Sequence, residues 1–366
     1  MPEEPRDDTR DAPASVGVLR FGAANGDSEV ARLARGLGEE LTRRLAGTPG
    51  LRPVASGRLE GSGDGNGGRP EAATPPGREP QSLLVGTFAR GPEGLSVEVR
   101  LARPGGTSLW SGRYERSLHD LPAVTDDIVQ QVSGVLAPGD GAPSPAPASA
   151  AADAFRYYLE GLALAREGGR PAEATDRLRC AVARDAAFAP AHAALGHLYL
   201  RRAEGSGPGD TVSLPQARHF ATRAVDLDPS QAEGHAILGR IAHLYERAWA
   251  SARSHLRDAA RHAPGSARTH RWFSELLATL GRTEDAVEAA RRAREIEPTS
   301  PRAGVALGRA LLCARRDQEA ERRLRTVLDR HPGHVPARRW LAAVHLSRGD
   351  DGGAVQVVRA GLSEAS

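Results

Sequence analysis

Residues 267–300, ARTHRWFSELLATLGRTEDAVEAARRAREIEPTS, and residues 301–334, PRAGVALGRALLCARRDQEAERRLRTVLDRHPGH, carry one pattern twice. Ala286, Ala320 and Ala354 recur every 34 residues, as do Gly281, Arg315 and Gly349, and the pair Pro298 and Pro332. Ala252 precedes Ala286 by 34; further upstream the steps lengthen to 35 from Ala217 and 43 from Ala174. The long step contains RRAEGSGPGDTVSLP (201–215), read as a loop inserted between two helices of one unit. A fixed period of this length marks stacked supersecondary units, because one unit alone cannot bury its apolar face.

Each unit reads as two short amphipathic helices. Gly196, Gly239 and Gly308 let the paired helices approach closely, and Leu195, Leu238 and Leu307 fill the contact. Ala174, Ala217, Ala286 and Ala320 play the small-residue part on the second helix, and prolines 229, 264, 298 and 332 end it. The pattern resembles the tetratricopeptide repeat over roughly residues 152–366, in about six units. HAALGHLY (192–199) and HAILGRIA (235–242) carry it best. The end units are loose: Ala186 stands at the closing proline position of the first, and Ala342 at the usual glycine of the last. Atypical ends suit a capped solenoid.

The first half has a different grammar. VGVLRF (16–21) is a short apolar strand, and NGD (25–27) offers a turn and an N-cap. SEVARLARGLGEELTRRL (28–45) follows, with Val30, Leu33, Leu37, Leu41 and Leu45 on one helical face. LRPVAS (51–56), LLVGTF (83–88), LSVEVRL (95–101) and SLWSGRYER (108–116) read as strands, with turns at GPEG (91–94) and PGGT (104–107). In LSVEVRL, Leu95, Val97, Val99 and Leu101 face inward, and Ser96, Glu98 and Arg100 outward. A last helix spans 119–136 through Val124, Ile128, Val132 and Val135. VGVLRFGAANGDSE (16–29), GLGEELTRRLAGTPGLRPVAS (36–56) and TSLWSGRYERSLHDL (107–121) resemble the TolB-like amino-terminal domain, which in bacterial regulators often stands before tetratricopeptide repeats. That resemblance implies a second helix between the second and third strands. Here the space holds only the Gly/Pro-rich segment 57–81.

The expected organisation is therefore an acidic disordered tail (1–13), an α/β domain of order β-α-β-β-β-β-α (14–137), a Pro/Ala linker (138–153) and an all-α solenoid (154–366). The start of the chain lacks a basic stretch followed by an apolar run, so no signal peptide is read, and no stretch approaches the ~18 apolar residues of a membrane span. The expected location is cytoplasmic. Cys180 and Cys313 are too far apart in sequence to suggest a disulfide framework or a metal knuckle. All 49 basic residues are Arg, and the net charge is only +3. Arg spread this evenly tempers a nucleic-acid reading.

Catalytic chemistry finds no foothold. GDGNGG (63–68) fits the spacing of a dinucleotide loop, yet Arg69-Pro70 follows where a helix N-terminus would have to meet the phosphates. The calcium-loop spacing fails too, because Gly68 takes the third ligand position. His192, His235 and His270 share one repeat position, which indicates packing, and His331 and His334 flank a turn without acidic or thiol company. Glu39-Glu40 and Asp126-Asp127 lie on amphipathic helices and read as solvated surface. No cofactor, metal or catalytic set is expected, and the chain is read as non-enzymatic.

What remains is the concave face lined by the first helix of each unit. The repeat register places Phe155, Tyr158, Leu162 and Arg166 there in the first unit, then His197, Leu200 and Arg201 in the second. Glu233, Arg240 and His243 follow, then Arg268, Arg271 and Glu275, then Arg302 and Arg309, and finally Arg339. The floor reads as apolar at its N-terminal end and Arg-rich towards its C-terminal end. Guanidinium forks suit carboxylates of an extended peptide, and the aromatic end suits an apolar anchor. The Lys and Asn used by carboxylate-clamp repeats are missing, so that specificity does not transfer. Stacking aromatics between the basic residues are read as lacking over units 3 to 6, which disfavours single-stranded nucleic acid. The expected function is a protein-interaction scaffold in bacterial regulation or signalling. The alternative is the sensory half of a transcription regulator, kinase or cyclase whose output domain is missing or separate.

Overall fold

Alternating apolar strands need a partner for one face only, and two amphipathic helices supply it. The computed structural model describes residues 14–19, 21–24, 26–55, 80–91, 94–137, 152–167, 169–206 and 210–363. They divide into two compact units, Met1–Gln231 with Ala263–Gly265, and Ala232–His262 with Ser266–Ser366. The segment GDGNGG, the expected acidic tail and all but the end of the expected linker lie outside the described residues.

In the first unit, β1 (Ala14–Val18) lies between β3 (Leu51–Ala55) and β4 (Ser82–Gly91), parallel to both. The short β2 (Gly22–Ala23) runs along β4 further up. β4, β5 (Gly94–Ala102) and β6 (Ser108–Arg116) form an antiparallel meander, giving the order β3-β1-β4-β5-β6. The strand read at 16–21 thus starts earlier and breaks before Phe21, whose buried ring meets Phe88 edge-on at 6.4 Å. Helix α1 (Ser28–Ala46) begins where Asp27 accepts hydrogen bonds from the amides of Glu29 (2.9 Å) and Val30 (3.2 Å). Helix α2 (Leu121–Leu136) closes the α/β part. Leu33, Leu37 and Leu41 of α1, Ile128 and Val132 of α2, and Leu84, Val97, Val99 and Leu101 of the strands are all buried. The opposite sheet face carries Glu98, Arg100 and Arg113, as the alternation in β5 requires.

The same unit continues through α3 (Ala152–Glu167), α4 (Pro171–Arg184), α5 (Ala189–Ser206) and α6 (Ser213–Leu227). The expected insertion at 201–215 is half helix: α5 runs on through RRAEGS to Ser206, since Arg, Ala and Glu favour helix. Just before α6, the Asp210 carboxylate accepts hydrogen bonds from the Ser213 amide at 2.9 Å and from its hydroxyl at 2.6 Å.

The second unit holds α7 (Ala232–Ile241), α8 (Trp249–His262), α9 (Ala267–Thr279), α10 (Thr283–Ile296), α11 (Pro301–Cys313), α12 (Asp317–Arg330), α13 (Val335–Ser347) and α14 (Asp351–Ser363). Odd and even helices pair as hairpins. At the crossing point the two partners trade volume. Gly239 and Gly308 each meet a leucine, Leu256 and Leu324, whose Cγ would stand 2.6 Å from an added Cβ. Where the first helix has Ser274 instead, the partner position is Ala290, and the Ser274 hydroxyl donates to the Ala286 carbonyl at 2.7 Å. The recurring Ala252, Ala286 and Ala320 are fully buried.

The turn inside each hairpin of the second unit holds one left-handed residue. Gly281 and Gly349 supply it at φ +74°, which costs glycine nothing. Arg315, at the same repeat position, sits at φ +60°, and Arg247 at φ +55° closes a π-turn formed by Ala242–Glu246. A side chain in this region is strained by about 1 kcal/mol.

Candidate functional site

The repeat register gives two stretches of inner-helix surface, one in each compact unit. In the first unit the α3 part of this surface is already occupied by α1. Gly36 of α1 lies so close to α3 that an added Cβ would be 2.1 Å from the Leu159 carbonyl oxygen. The Tyr158 hydroxyl donates to Glu40 at 2.7 Å, Arg166 pairs with Glu39 at 2.6 Å, and Arg35 pairs with Glu167 at 2.8 Å. Burial raises the Glu39 carboxyl above its ordinary pKa, and Arg166 only partly offsets this. Phe155 and Tyr158 are 5% and 1% exposed, and both rings pack on Phe188, at 6.2 and 5.1 Å. Leu162 and His197 are half-buried, Leu200 is buried and Arg201 is exposed. Glu39 and Glu40 therefore form a seam between α1 and α3 with Arg166 and Tyr158. Phe155 and Tyr158 are core residues, and neither is open to an apolar anchor.

In the second unit the named residues come together on α7, α9, α11 and α13. Arg268 reaches Glu233 at 2.7 Å. Arg240 bonds Glu275, and Arg309 approaches the same carboxylate at 3.6 Å. Arg240, Glu275 and Arg309 share one repeat position, so their alternating signs make a ladder across three successive inner helices. Glu275 is only 20% exposed. Burial would raise its pKa, but Arg240, Arg309 and Arg271 outweigh that and hold it below the ordinary carboxylate value.

Two tryptophans tie the ladder together. Arg240 and Arg268 lie over the Trp272 ring at 5.4 and 5.6 Å, and Arg309 and Arg339 over Trp340 at 5.2 and 5.8 Å. The result is one continuous run, Glu233–Arg268–Trp272–Arg240–Glu275–Arg309–Trp340–Arg339. This corrects the expectation that aromatics are lacking among the basic residues of units 3 to 6. The signal was present: Trp272 and Trp340 are 68 residues apart, two repeats, with Ala306 between. The covering guanidiniums leave Trp272 only 6% exposed, so it is a foundation for arginines and no open stacking platform.

The remaining cations are differently placed. Arg271, Arg302 and Arg339 have no carboxylate within ion-pairing distance among the described residues. Arg302 and Arg339 are exposed; Arg271 is half-buried, with its Nε buried and unpartnered. Burial lowers the Arg271 pKa, partly countered by Glu297 and Glu275 at longer range and deepened by Arg302 and Arg268. Nearby His243 is held below its ordinary pKa by burial, then by Arg240 and Arg309, and its Nε2 lies 3.1 Å from the Thr279 hydroxyl. Among the described residues no group of three His, Cys, Asp or Glu is arranged to hold a metal. His192 is buried with Nε2 at 3.0 Å from the Ala186 carbonyl, and His334 caps α13 by accepting from the Ala337 amide at 3.2 Å.

No protein-family model matches the chain, and no curated protein matches it. Solved structures do. YrrB, described as a TPR protein with an unusual peptide-binding site, is 17% identical; the match covers 52% of this chain and 92% of that one, with a TM-score of 0.38. TTC0263 of Thermus thermophilus, described as a thermophilic TPR protein, is 22% identical over 53% of this chain and 99% of that one, with a TM-score of 0.43. Human IFIT1, solved with a capped RNA, is 15% identical over 66% of this chain and 55% of that one, with a TM-score of 0.49. The helical-hairpin architecture of this chain rests on its own recurring helices, and no described helix is long and apolar enough to cross a membrane.

Proposed function

We propose that this chain is a non-catalytic protein-interaction scaffold whose second unit holds an extended acidic segment against Arg271, Arg302 and Arg339. One observation carries the reading: in a surface where the other arginines are paired with Glu233 or Glu275, these three have no carboxylate partner among the described residues. An exposed guanidinium gains most from a carboxylate that presents both oxygens. Residues 14–137 as a TolB-like domain, the division at 138–153, a cytoplasmic location and a role in bacterial regulation or signalling belong to the same proposal, and the sequence resemblance supports them.

The test is fluorescence anisotropy of a labelled deca-glutamate peptide with the full chain. Saturable binding at low salt, weakened as salt screens the charges, is expected. Changing Arg271, Arg302 and Arg339 together to Gln should weaken it roughly tenfold. Binding that is equal in the triple variant, or equal for a Gly-Ser peptide, would overturn the reading.

A further inference from the structure

The proposed acid-binding role treats the groove's arginines unequally, and the inequality has a single origin. Glu275 stands where Arg240 and Arg309 stand in the neighbouring repeats. Its carboxylate takes both of them, and both also rest on tryptophans. Those guanidiniums are fixed, and much of their charge is spent inside the groove.

Resting on that reading, we propose that Glu275 is a specificity-determining residue: an internal carboxylate that occupies Arg240 and Arg309 and so confines a ligand's acidic groups to Arg271, Arg302 and Arg339. A ligand carboxylate laid over the ladder meets cations that are already matched, and must approach Glu275 as well. One laid over Arg302 or Arg339 meets an exposed cation. The groove thus reads where the acids fall along an extended segment, beyond how many there are. Neutralising Glu275 while keeping its shape should turn the ladder into a second acid-binding strip.

The experiment is the deca-glutamate titration on Glu275→Gln, Arg240→Gln, Arg302→Gln and Glu288→Gln in the full chain, each checked for intact helicity and melting. Glu288 is 76% exposed on α10, so Glu288→Gln makes the same charge change on another helix. Glu275→Gln should bind about fivefold more tightly, and Glu288→Gln within about twofold of the parent. Arg240→Gln alone should change the affinity by less than about twofold, because that cation is already committed; in the Glu275→Gln background it should cancel part of the gain. Arg302→Gln should weaken binding about threefold to fivefold. If Glu275→Gln binds no more tightly than Glu288→Gln, or if Arg240→Gln weakens binding as much as Arg302→Gln, the proposal falls while the acid-binding reading stands. If Arg302→Gln has no effect either, the acid-binding reading itself falls. Should Glu275→Gln melt too early to titrate, the Arg240→Gln against Arg302→Gln comparison decides alone.

Discussion

The inner-helix surface of the first repeat and that of the last four begin from one register and end differently. At Tyr158 and Leu159 the surface is closed by α1, through Glu40 and the bare backbone of Gly36, Phe155 is buried against Phe188, and the exposed Arg166 is tied to Glu39. At Arg271, Arg302 and Arg339 no carboxylate among the described residues answers the cations. A repeat position specifies which side chains line up. It does not specify whether something in the same chain is already there. The aromatic residues that look most like a ligand anchor are those the protein uses for its own packing, and the arginines are what it leaves for others.

The largest expected effect breaks the sealed side. Gly36→Leu forces α1 off the Leu159 backbone and should cost roughly 3 kcal/mol or more, lowering the melting temperature of the full chain by ~6–12 °C. A melt within a degree or two of the parent would show that α1 is not seated on α3. Next comes the contrast itself. Arg302→Gln should weaken deca-glutamate binding several-fold at unchanged melting temperature. Arg166→Gln, which leaves Glu39 half-buried without its partner, should lower the melting temperature and leave binding alone. An exchange of these two outcomes would invert the assignment of the occupied and the open surface.

Acidification addresses both units together. His192 in the first, and His243, His255 and His334 in the second, all have pKa values pushed below the ordinary 6.5, with burial the largest cause. The folded state therefore binds fewer protons than the unfolded chain. Stability is full above about pH 6.5 and falls as pH drops through and below that value. The melting temperature should decline by a few degrees between pH 7.5 and 5.5, and a rise would contradict the burial of these rings. The smallest effect is a gain. Arg315→Gly relieves a left-handed side chain and should stabilise by about 0.5–1 kcal/mol, whereas Gly281→Arg, its mirror in the preceding repeat, should cost a similar amount.

Much of the architecture was legible because it is periodic. The alternation of LSVEVRL became β5 with the expected faces, and Ala252, Ala286 and Ala320 became buried contacts. The 34-residue recurrence of Gly281, Arg315 and Gly349 became a set of left-handed turn residues. Contacts across long sequence separations were not legible. Tyr158 and Glu40 are 118 residues apart, and nothing in either stretch names the other. Gly36 was visible as a small residue, but its partner was not. The Arg240–Glu275–Arg309 ladder emerges when repeats are aligned for charge as well as for shape. Trp272 and Trp340 are visible at two-repeat spacing, but a pattern that skips every other unit is hidden from a reading that expects an aromatic in each one.

The most direct test is amide hydrogen exchange of the full chain with and without deca-glutamate. Slowed exchange in 267–279, 301–313 and 335–347, with 28–46 and 152–167 unchanged, is the predicted result. Protection at 152–167, or faster exchange in 28–46 as α1 gives way to the peptide, would contradict it.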